Sequence, residues 1–409
     1  MKKLLALVLS LVMVLSVAAM AYAEPVTITY AHFSAAGANE ETLKQMIEVF
    51  ETKNPDIKVD VQITGFNDYF TKLATTIGGG NAPDVFEMNM ENFLAYMLRD
   101  GCADLNGLVD PASYSEGTLA AVSSDGKLYA VPMSFSTCVL FYNKALFDQA
   151  GVAYPTESWT WADAQAAAEK IAALGDDIWG YYQPITYNEF YKSVKGNGGS
   201  LLSADNTAFT LNTPENVEVL DAMIARVRGE NRVMPTTEDM AGRGDWDLFA
   251  EGKLGMLITG IWGFSTMAEK CDFDWDIVVE PGFKTPSTFF FANVNCVSPS
   301  SDKLEAAAKF ADAMGSDPDI VKLRLDVSWE LPTIADQSQL STYLEQTLPA
   351  NRKAVFDSMD FAAAPPALLE QGAVSEIINN VLSTLEMDDL SAQEALDEIQ
   401  AQLEDADLL

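Results

Sequence analysis

The amino-acid sequence predicts an α/β protein built from two doubly wound domains, and three observations support this fold class. Alternating patterns typical of strands and periodic patterns typical of helices follow one another along the chain. The first of them form a strand, a helix and a strand in close succession, which is the βαβ unit of a parallel sheet. With 409 residues, of which 48% are hydrophobic, the chain exceeds what one hydrophobic core normally organises.

The βαβ unit is predicted near the start of the chain. Apolar residues alternate with threonines over residues 26–30, as on a half-buried strand. Asn39 can cap the helix that follows, whose apolar residues between 43 and 50 fall on one face. A second alternating strand is expected over residues 59–63. The first domain therefore begins as a parallel sheet.

The same succession of elements continues after this unit. A helix is expected around residues 70–77, and the glycines at 78–80 should end it. The short apolar run at 85–86 is then expected to be the next strand. These elements extend the doubly wound pattern.

Helix signals recur in the middle and near the end of the chain. Thr160 and Asp163 have the spacing of a capping box, and Pro214 suits the first turn of another helix. An apolar stripe between residues 374 and 385 predicts a helix docked on the body of the protein.

Residues 1–23 have the features of a secretory signal peptide. Lys2 and Lys3 precede an apolar stretch, and Ala21-Tyr22-Ala23 has the small-residue pattern of a cleavage site. We therefore expect an exported protein that works in the periplasm or outside the cytoplasm. Because no cysteine follows the apolar stretch, no lipid anchor on an N-terminal cysteine is expected.

Composition excludes several classes of function. The net charge of −35 opposes nucleic acid and anionic membranes, and it favours a neutral or cationic solute. His32 is the single histidine, so catalytic triads and zinc sites lack their usual residues. Glycine-rich motifs that cradle nucleotides are also absent from the sequence. We expect no cofactor, no metal and no catalysis, although glycoside hydrolysis requires only two carboxylates.

Four cysteines are present, at positions 102, 138, 271 and 296. Their wide spacing does not fit a zinc or redox motif. Export permits disulfides, and four cysteines allow three pairings, but buried free thiols fit the sequence equally well.

The loops that follow the predicted strands contain aromatic and amide side chains. His32 and Phe33 follow the first strand, and Glu87, Met88 and Asn89 follow the strand at 85–86. Ligands of open α/β sheets bind at such strand ends. A sugar has an apolar C–H face and a rim of hydroxyls, so flat aromatics with polar neighbours suit it.

Several segments, in this order along the chain, resemble the extracellular solute-binding proteins of carbohydrate ABC importers, in the maltose-binding-protein-like class. The segments are Gly80-Asn81-Ala82-Pro83-Asp84-Val85-Phe86, Tyr129-Ala130-Val131-Pro132, Phe141-Tyr142-Asn143-Lys144, Ser158-Trp159-Thr160, Phe249-Ala250-Glu251-Gly252-Lys253, Gly260-Ile261-Trp262-Gly263, Ser298-Pro299-Ser300-Ser301 and Glu394-Ala395-Leu396. The resemblance covers essentially the whole chain after the predicted signal peptide.

The resemblance implies a periplasmic-binding-protein-like fold of type II, with two lobes joined by three hinge crossings and a ligand in the cleft between them. The expected N-terminal lobe comprises residues 24–133 and 294–330. The expected C-terminal lobe comprises residues 137–290 and 333–409. The implied partners are a small solute, most simply a sugar, and the membrane permease of an ABC importer. We expect the protein to act as a monomer.

The resemblance also implies site residues. Trp262 matches the ligand-stacking tryptophan of the Gly-x-Trp segment, whereas Met88 stands where the class has another stacking tryptophan, and Ser136 stands where it has a carboxylate. These two departures put a maltodextrin ligand in doubt. The other residues expected to contact the ligand are Ser134, Tyr187, Asn188, Trp246, Asn293, Trp329 and Glu330.

The sequence thus predicts high-affinity capture of a mono- or oligosaccharide by hinge closure, without chemistry. The alternatives are an exported carbohydrate hydrolase, a surface scaffold without ligand, and a binding protein for a polyamine or other cation. Two carboxylates facing each other about 5 to 10 Å apart across the cleft would favour the hydrolase.

Overall fold

The computed structural model describes residues 24–37, 39–229, 232–334, 336, 338, 340–363, 365, 366, 368 and 370–409. The predicted signal peptide at residues 1–23 lies outside the described residues. Within the described part of the chain, every helix is too short or too polar to cross a bilayer.

The chain starts with the predicted βαβ unit. Strand β1 (Val26–His32) pairs in parallel with β2 (Ile57–Ile63), and α1 (Glu40–Lys53) connects them. The prediction of this unit is confirmed. The predicted side-chain cap is wrong: Asn39 precedes α1, but its backbone (φ −101°, ψ 3°) is not extended, and its side chain makes no capping hydrogen bond.

Helix α2 (Phe66–Gly78) begins four residues before the expected position and leads to β3 (Val85–Asn89). Strand β3 lies parallel to β1, and α3 (Met90–Leu98) follows it directly. The side chain of Asn89 accepts a hydrogen bond from the backbone of Asn92, so this strand end is also a helix N-cap.

Two long strands extend from this first group of strands into a second one. Strand β6 (Val131–Asn143) pairs antiparallel with β9 (Thr288–Val297), which also pairs with β3. The far half of β6 pairs with β7 (Met256–Gly260) and with β8 (Trp275–Val278). Strand β10 (Leu331–Pro332) pairs with Ser134 and Phe135 in the first half of β6. The chain therefore passes between the two groups of strands in three neighbouring segments.

The remaining elements cover these strands. They are α4 (Glu116–Ala121), β4 (Ser123–Ser124), β5 (Lys127–Leu128), α5 (Lys144–Ala150), α6 (Trp161–Ala172), α7 (Tyr187–Gly196), α8 (Pro214–Val227), α9 (Thr237–Met240), α10 (Asp245–Ala250), α11 (Phe264–Lys270), α12 (Leu304–Ser316), α13 (Pro318–Asp326), α14 (Leu340–Leu344), α15 (Ala354–Asp357), β11 (Ala362–Ala363), α16 (Gln371–Leu382) and α17 (Ala392–Asp405). Short 3₁₀ turns occur at Pro111–Ser113, Ile261–Gly263 and Ser358–Phe361.

The expected helix starts in the middle of the chain are present. Thr160 and Asp163 form a reciprocal capping box before α6, and Pro214 opens α8. The C-terminal stripe is the buried face of α16, where Val374 and Ile378 pack into the core. All four cysteines are free, and Cys271 is the one that is only partly buried.

The hydrophobic cores use chain segments that are distant in sequence. One cluster combines residues between 28 and 131 with residues between 294 and 329. Three other clusters are built from residues between 138 and 403. One of them includes Val321 and Leu325 of α13, a helix whose sequence range also contributes to the first cluster. Helix α13 thus packs on both groups of strands.

Candidate functional site

The two long strands present different residues on their two faces where they leave the first group of strands. Ser134 lies opposite Asn293, and Ser136 lies opposite Phe291. Residues directly opposite each other on antiparallel strands point to the same face. Ser134, Ser136, Phe291 and Asn293 therefore share one face of the crossing.

Trp262 lies beside this face. It sits in the 3₁₀ turn after β7, where the backbone N–H of Ile261 donates to Ser136 Oγ at 3.3 Å. The indole of Trp262 meets the ring of Phe291 edge-on, with centroids 5.1 Å apart. Both rings are only partly buried. The structure thus brings the predicted residues Ser136 and Trp262 together and adds Phe291 as a second aromatic.

Gly260 fixes the position of the Trp262 indole. A Cβ atom at Gly260 would lie 2.1 Å from Cζ3 of the indole, far inside contact distance. The indole therefore packs flat on the glycine backbone. Trp246 packs nearby, since a Cβ at Gly263 would lie 3.4 Å from the Cζ2 atom of Trp246. Trp246 is also partly buried.

Tyr187 and Asn188 stand at the start of α7. The hydroxyl of Tyr187 accepts a hydrogen bond from Gln371 Nε2 at 2.9 Å, and its ring stacks on Tyr191 with centroids 6.3 Å apart. Asn188 is partly buried. Tyr187 is therefore held in one orientation by α7 and α16 together.

Glu91 approaches Tyr187 from the other group of strands. Its Oε2 atom accepts from Asn89 Nδ2 at 3.2 Å, and its buried Oε1 atom has no hydrogen-bond partner among the described residues. Burial raises the pKa of Glu91 to about 7. Burial also raises the pKa of Tyr187, and the charge of Glu91 adds to that rise.

Helices from the two groups of strands touch on the side where Glu91 and Tyr187 lie. Helix α3 packs against α16. Arg99, just after α3, donates from Nη2 to Glu370 Oε1 at 2.7 Å. The two halves of the molecule are therefore drawn together on this side.

The predicted residues at the end of β1 and in β3 are buried. His32 Nδ1 lies 2.9 Å from Glu87 Oε2, and Glu87 also accepts from the backbones of Phe33 and Ser34. Burial would raise the pKa of Glu87, but the charge of His32 and the hydrogen bonds of Ser34 together hold it below its usual range. Met88 is fully buried in the first core.

A third group of predicted residues forms a buried polar cluster at the crossing. The carboxylate of Glu330 accepts from Ser134 Oγ and from Asn293 Nδ2, and it pairs with Arg324 at 3.5 Å. The guanidinium of Arg324 stacks over the Trp329 ring at 4.5 Å. The Trp329 ring in turn lies 5.6 Å from His32.

The opposite face of the crossing strands borders a cavity of about 380 Å³. Phe135 and Ala292, which alternate with the site residues, line it. Of the predicted site residues, Asn293 also reaches it. Its remaining lining residues are Met90, Ser115, Gly117, Thr118, Ala121, Val122, Pro132, Phe290, Val294, Pro332, Thr333, Ile334 and Met359.

Three residues of this region were not among the expected ligand contacts. Phe291 belongs to the aromatic run 289–291, and that run was the available signal for it. Glu91 follows the strand end that was singled out, so its position was visible in the sequence. Gln371 carried no local signal, because only the docking of α16 brings it to Tyr187. Within the described ranges, no group of three or more potential metal ligands is present.

Comparison with known proteins matches residues 36–319 to the bacterial extracellular solute-binding proteins. An ABC substrate-binding protein of Listeria monocytogenes, solved in complex with cycloalternan, is 42% identical, with a TM-score of 0.89 over 94% of this chain and 99% of that chain. The GacH receptor of Streptomyces glaucescens has a TM-score of 0.83 at 21% identity, over 94% of this chain and 98% of that chain. The predicted fold class is confirmed by these likenesses.

Two curated relatives match over shorter stretches. The diacetylchitobiose-binding protein DasA of Streptomyces coelicolor is 28% identical over 66% of this chain and 64% of its own length. A protein of Brucella abortus that bears the name putative binding protein is 28% identical over 60% of this chain. The chain spans 60% of the length of that relative.

Proposed function

Because the chain belongs to the family of bacterial extracellular solute-binding proteins, we propose that it captures an oligosaccharide between two lobes and delivers it to the permease of an ABC importer. The protein would act outside the cytoplasm, as a monomer, and without a chemical step. Closure of the lobes would bury the solute and create the surface that the permease recognises.

The proposed lobes are residues 24–133 with 294–330, and residues 137–290 with 333–409. The distribution of the cores supports this division, because one cluster draws on residues 28–131 and 294–329. The crossings would be β6, β9 and β10, which lie side by side.

The observation that carries the proposal is the aromatic pair of Trp262 and Phe291 beside the hydroxyl of Ser136. Both rings are partly exposed, and the flat face of a ring can stack on the C–H face of a sugar. The Ser136 hydroxyl is buried, donates to the Thr137 carbonyl at 3.0 Å and accepts from Ile261, so it holds the turn that carries Trp262. We propose that the solute lies against the two rings.

The facing wall of the site would be Glu91, Tyr187 and Asn188. The free Oε1 atom of Glu91 is a hydrogen-bond acceptor that a solute hydroxyl can satisfy. Because Glu91 and Tyr187 come from opposite lobes, a solute bound to both would favour closure.

The proposed solute class follows from the relatives. The 42% identical protein of Listeria monocytogenes was solved with cycloalternan, and DasA is named for diacetylchitobiose. We therefore propose an oligosaccharide, with cycloalternan as the first compound to test.

A thermal-shift screen tests this proposal. Cycloalternan, maltotriose, a phosphosugar and spermidine are each added to the protein, and the melting temperature is measured. A bound solute at 100 times its Kd should add about 2.7 kcal/mol of stability. A shift with cycloalternan or maltotriose supports the proposal. A shift with spermidine alone contradicts it and favours the cation-binding alternative, and a shift with the phosphosugar contradicts the expected neutral ligand.

A further inference from the structure

The three crossing segments are neighbours in one sheet. Leu331 of β10 pairs with Phe135 of β6, and Pro332 pairs with Ser134. On its other edge, Ser134 of β6 lies opposite Asn293 of β9. A rotation of one lobe against the other therefore has to twist these three segments relative to one another.

One carboxylate connects all three segments. Glu330 directly precedes β10, and its side chain accepts from Ser134 Oγ of β6 and from Asn293 Nδ2 of β9. The distances from Asn293 Nδ2 to the two carboxylate oxygens are 3.1 and 3.3 Å. Arg324 of α13 pairs with the same carboxylate at 3.5 Å. Glu330 is 6% exposed, so it forms this junction away from bulk water.

We propose that Glu330 is a positioning residue whose carboxylate couples the three crossings, and that its protonation favours the closed arrangement of the lobes. The inference goes beyond the proposed function, since it concerns how closure is controlled and not which solute is bound. Glu330 would act on affinity through Ser134 and Asn293 and would not touch the solute.

The charged surroundings of Glu330 come from three elements. Arg324 approaches from α13, and Glu87 approaches from β3. Two residues of β1 also lie near: Tyr30, and His32, which contacts Glu87. Burial raises the pKa of Glu330 to about 7, Arg324 opposes this rise, and the charge of Glu87 adds to it. The carboxyl group can therefore change its charge near neutral pH.

The sign of the coupling follows from the geometry. In the present structure the lobes touch through α3 and α16, and Glu330 is buried. Opening would lengthen the hydrogen bonds of Glu330 to Ser134 and Asn293, which raises its pKa, and would admit water, which lowers it. Because burial has the largest effect on this pKa, the net change on opening would be a fall toward the ordinary value. A proton then binds the closed arrangement more tightly than the open one, so acid favours closure. Each pKa unit of difference corresponds to about tenfold in solute affinity.

The first test uses the protein without solute. Small-angle scattering at about pH 5.5 and 8.5 measures the radius of gyration of the wild type and of Glu330→Gln, which keeps the shape but cannot ionise. The wild type should be more compact at the acidic pH, and Glu330→Gln should not respond. Thr137→Val is the matched control, because Thr137 is also on β6 but bonds Val355 and not Glu330. A wild type that does not respond, or a Glu330→Gln that responds as the wild type does, overturns the proposal.

A second variant covers the case in which Glu330→Gln does not fold. The Ser134 hydrogen bond lowers the pKa of Glu330, so Ser134→Ala should move the pH response to higher pH. An unchanged midpoint in Ser134→Ala contradicts the coupling.

Calorimetric titration with cycloalternan separates this proposal from the proposed function. Wild-type affinity should be about tenfold higher at about pH 5.5 than at 8.5, and the affinity of Glu330→Gln should be equal at both. If cycloalternan does not bind at all but the scattering response persists, the proposed solute is wrong and the role of Glu330 stands. If cycloalternan binds with the same pH dependence in both proteins, the role of Glu330 is wrong and the proposed function stands.

Discussion

Replacing Trp262 with alanine separates a solute-binding role of the indole from a packing role. Truncating a fully buried tryptophan costs about 3 to 5 kcal/mol of stability. Trp262 is only partly buried, and its edge-on contact with Phe291 is worth about 0.5 to 1.5 kcal/mol beyond burial. We therefore expect Trp262→Ala to lower the free energy of unfolding by about 1 to 2 kcal/mol.

The expected loss of affinity is larger. An aromatic anchor at the centre of a binding site is typically worth at least about 2 kcal/mol, which is roughly a thirtyfold weaker Kd. Urea unfolding of the unliganded protein measures the stability, and calorimetric titration with cycloalternan measures the affinity. If another sugar gives the larger thermal shift in the screen, that sugar replaces cycloalternan in the titration.

Trp159→Ala is the matched control for this experiment. Trp159 is also a partly buried tryptophan of the proposed C-terminal lobe and packs on Phe147, with ring centroids 6.2 Å apart. It should lose comparable stability while its affinity stays within about threefold of the wild type. The reasoning is refuted if Trp262→Ala binds with native affinity and loses about 3 to 5 kcal/mol of stability, because the indole is then core. A comparable loss of binding in Trp159→Ala would show that the affinity does not depend on the Trp262 indole in particular.

Two further predictions concern the walls of the site. Gly260→Ala should weaken solute binding and cost about 1 to 3 kcal/mol of stability, because the added Cβ would lie 2.1 Å from the Trp262 indole and has to displace it. Calorimetric titration measures the affinity, and unfolding followed by fluorescence of the indole measures the stability. An unchanged affinity would contradict the placement of Trp262 in the site. Glu91→Gln should stabilise the unliganded protein by about 1 to 3 kcal/mol at about pH 8.5 and hardly at all near pH 4.5. The reason is that burial raises the pKa of Glu91 to about 7, so the wild-type protein loses stability as the pH rises through that value and the buried carboxyl group ionises. Urea unfolding at both pH values measures the difference, and an equal effect at both would refute the assignment.

Local patterns were enough to predict the first elements of the fold. The alternation in β1 and β2 and the one-sided helix between them depend on residues a few positions apart, which the sequence displays directly. The capping box of Thr160 and Asp163 is local in the same way. The side-chain cap of Asn39 failed because it depends on a backbone angle that the residue type alone does not fix.

The crossing was not visible in local patterns. Twelve of the thirteen residues of β6 are buried, so the strand shows no alternation that would reveal where it leaves one group of strands for the other. Its division is decided by partners far along the chain, with β9 beside its first half and β7 and β8 beside its second half. Only the resemblance to a known family indicated that such crossings exist.

The candidate site shows the same division between local and long-range information. Trp262 was predicted from its own short motif, and the structure places its turn beside Ser136, another predicted site residue. The convergence of Ser134, Asn293 and Glu330 joins positions far apart in the chain. It depends on the register of β6 with β9 and β10, which no single segment encodes.

The two-residue period of the crossing strands explains how neighbouring residues serve different purposes. Ser134 and Ser136 point to the face of Trp262 and Glu330, whereas Phe135 between them points to the cavity on the other side. The same alternation places Phe291 beside Trp262 and Ala292 in the cavity wall. A shift of one residue in the pairing of β6 and β9 would therefore exchange the polar and aromatic face for the apolar one. Because Glu330 bonds both strands on the polar face, it also holds the register on which the proposed site depends.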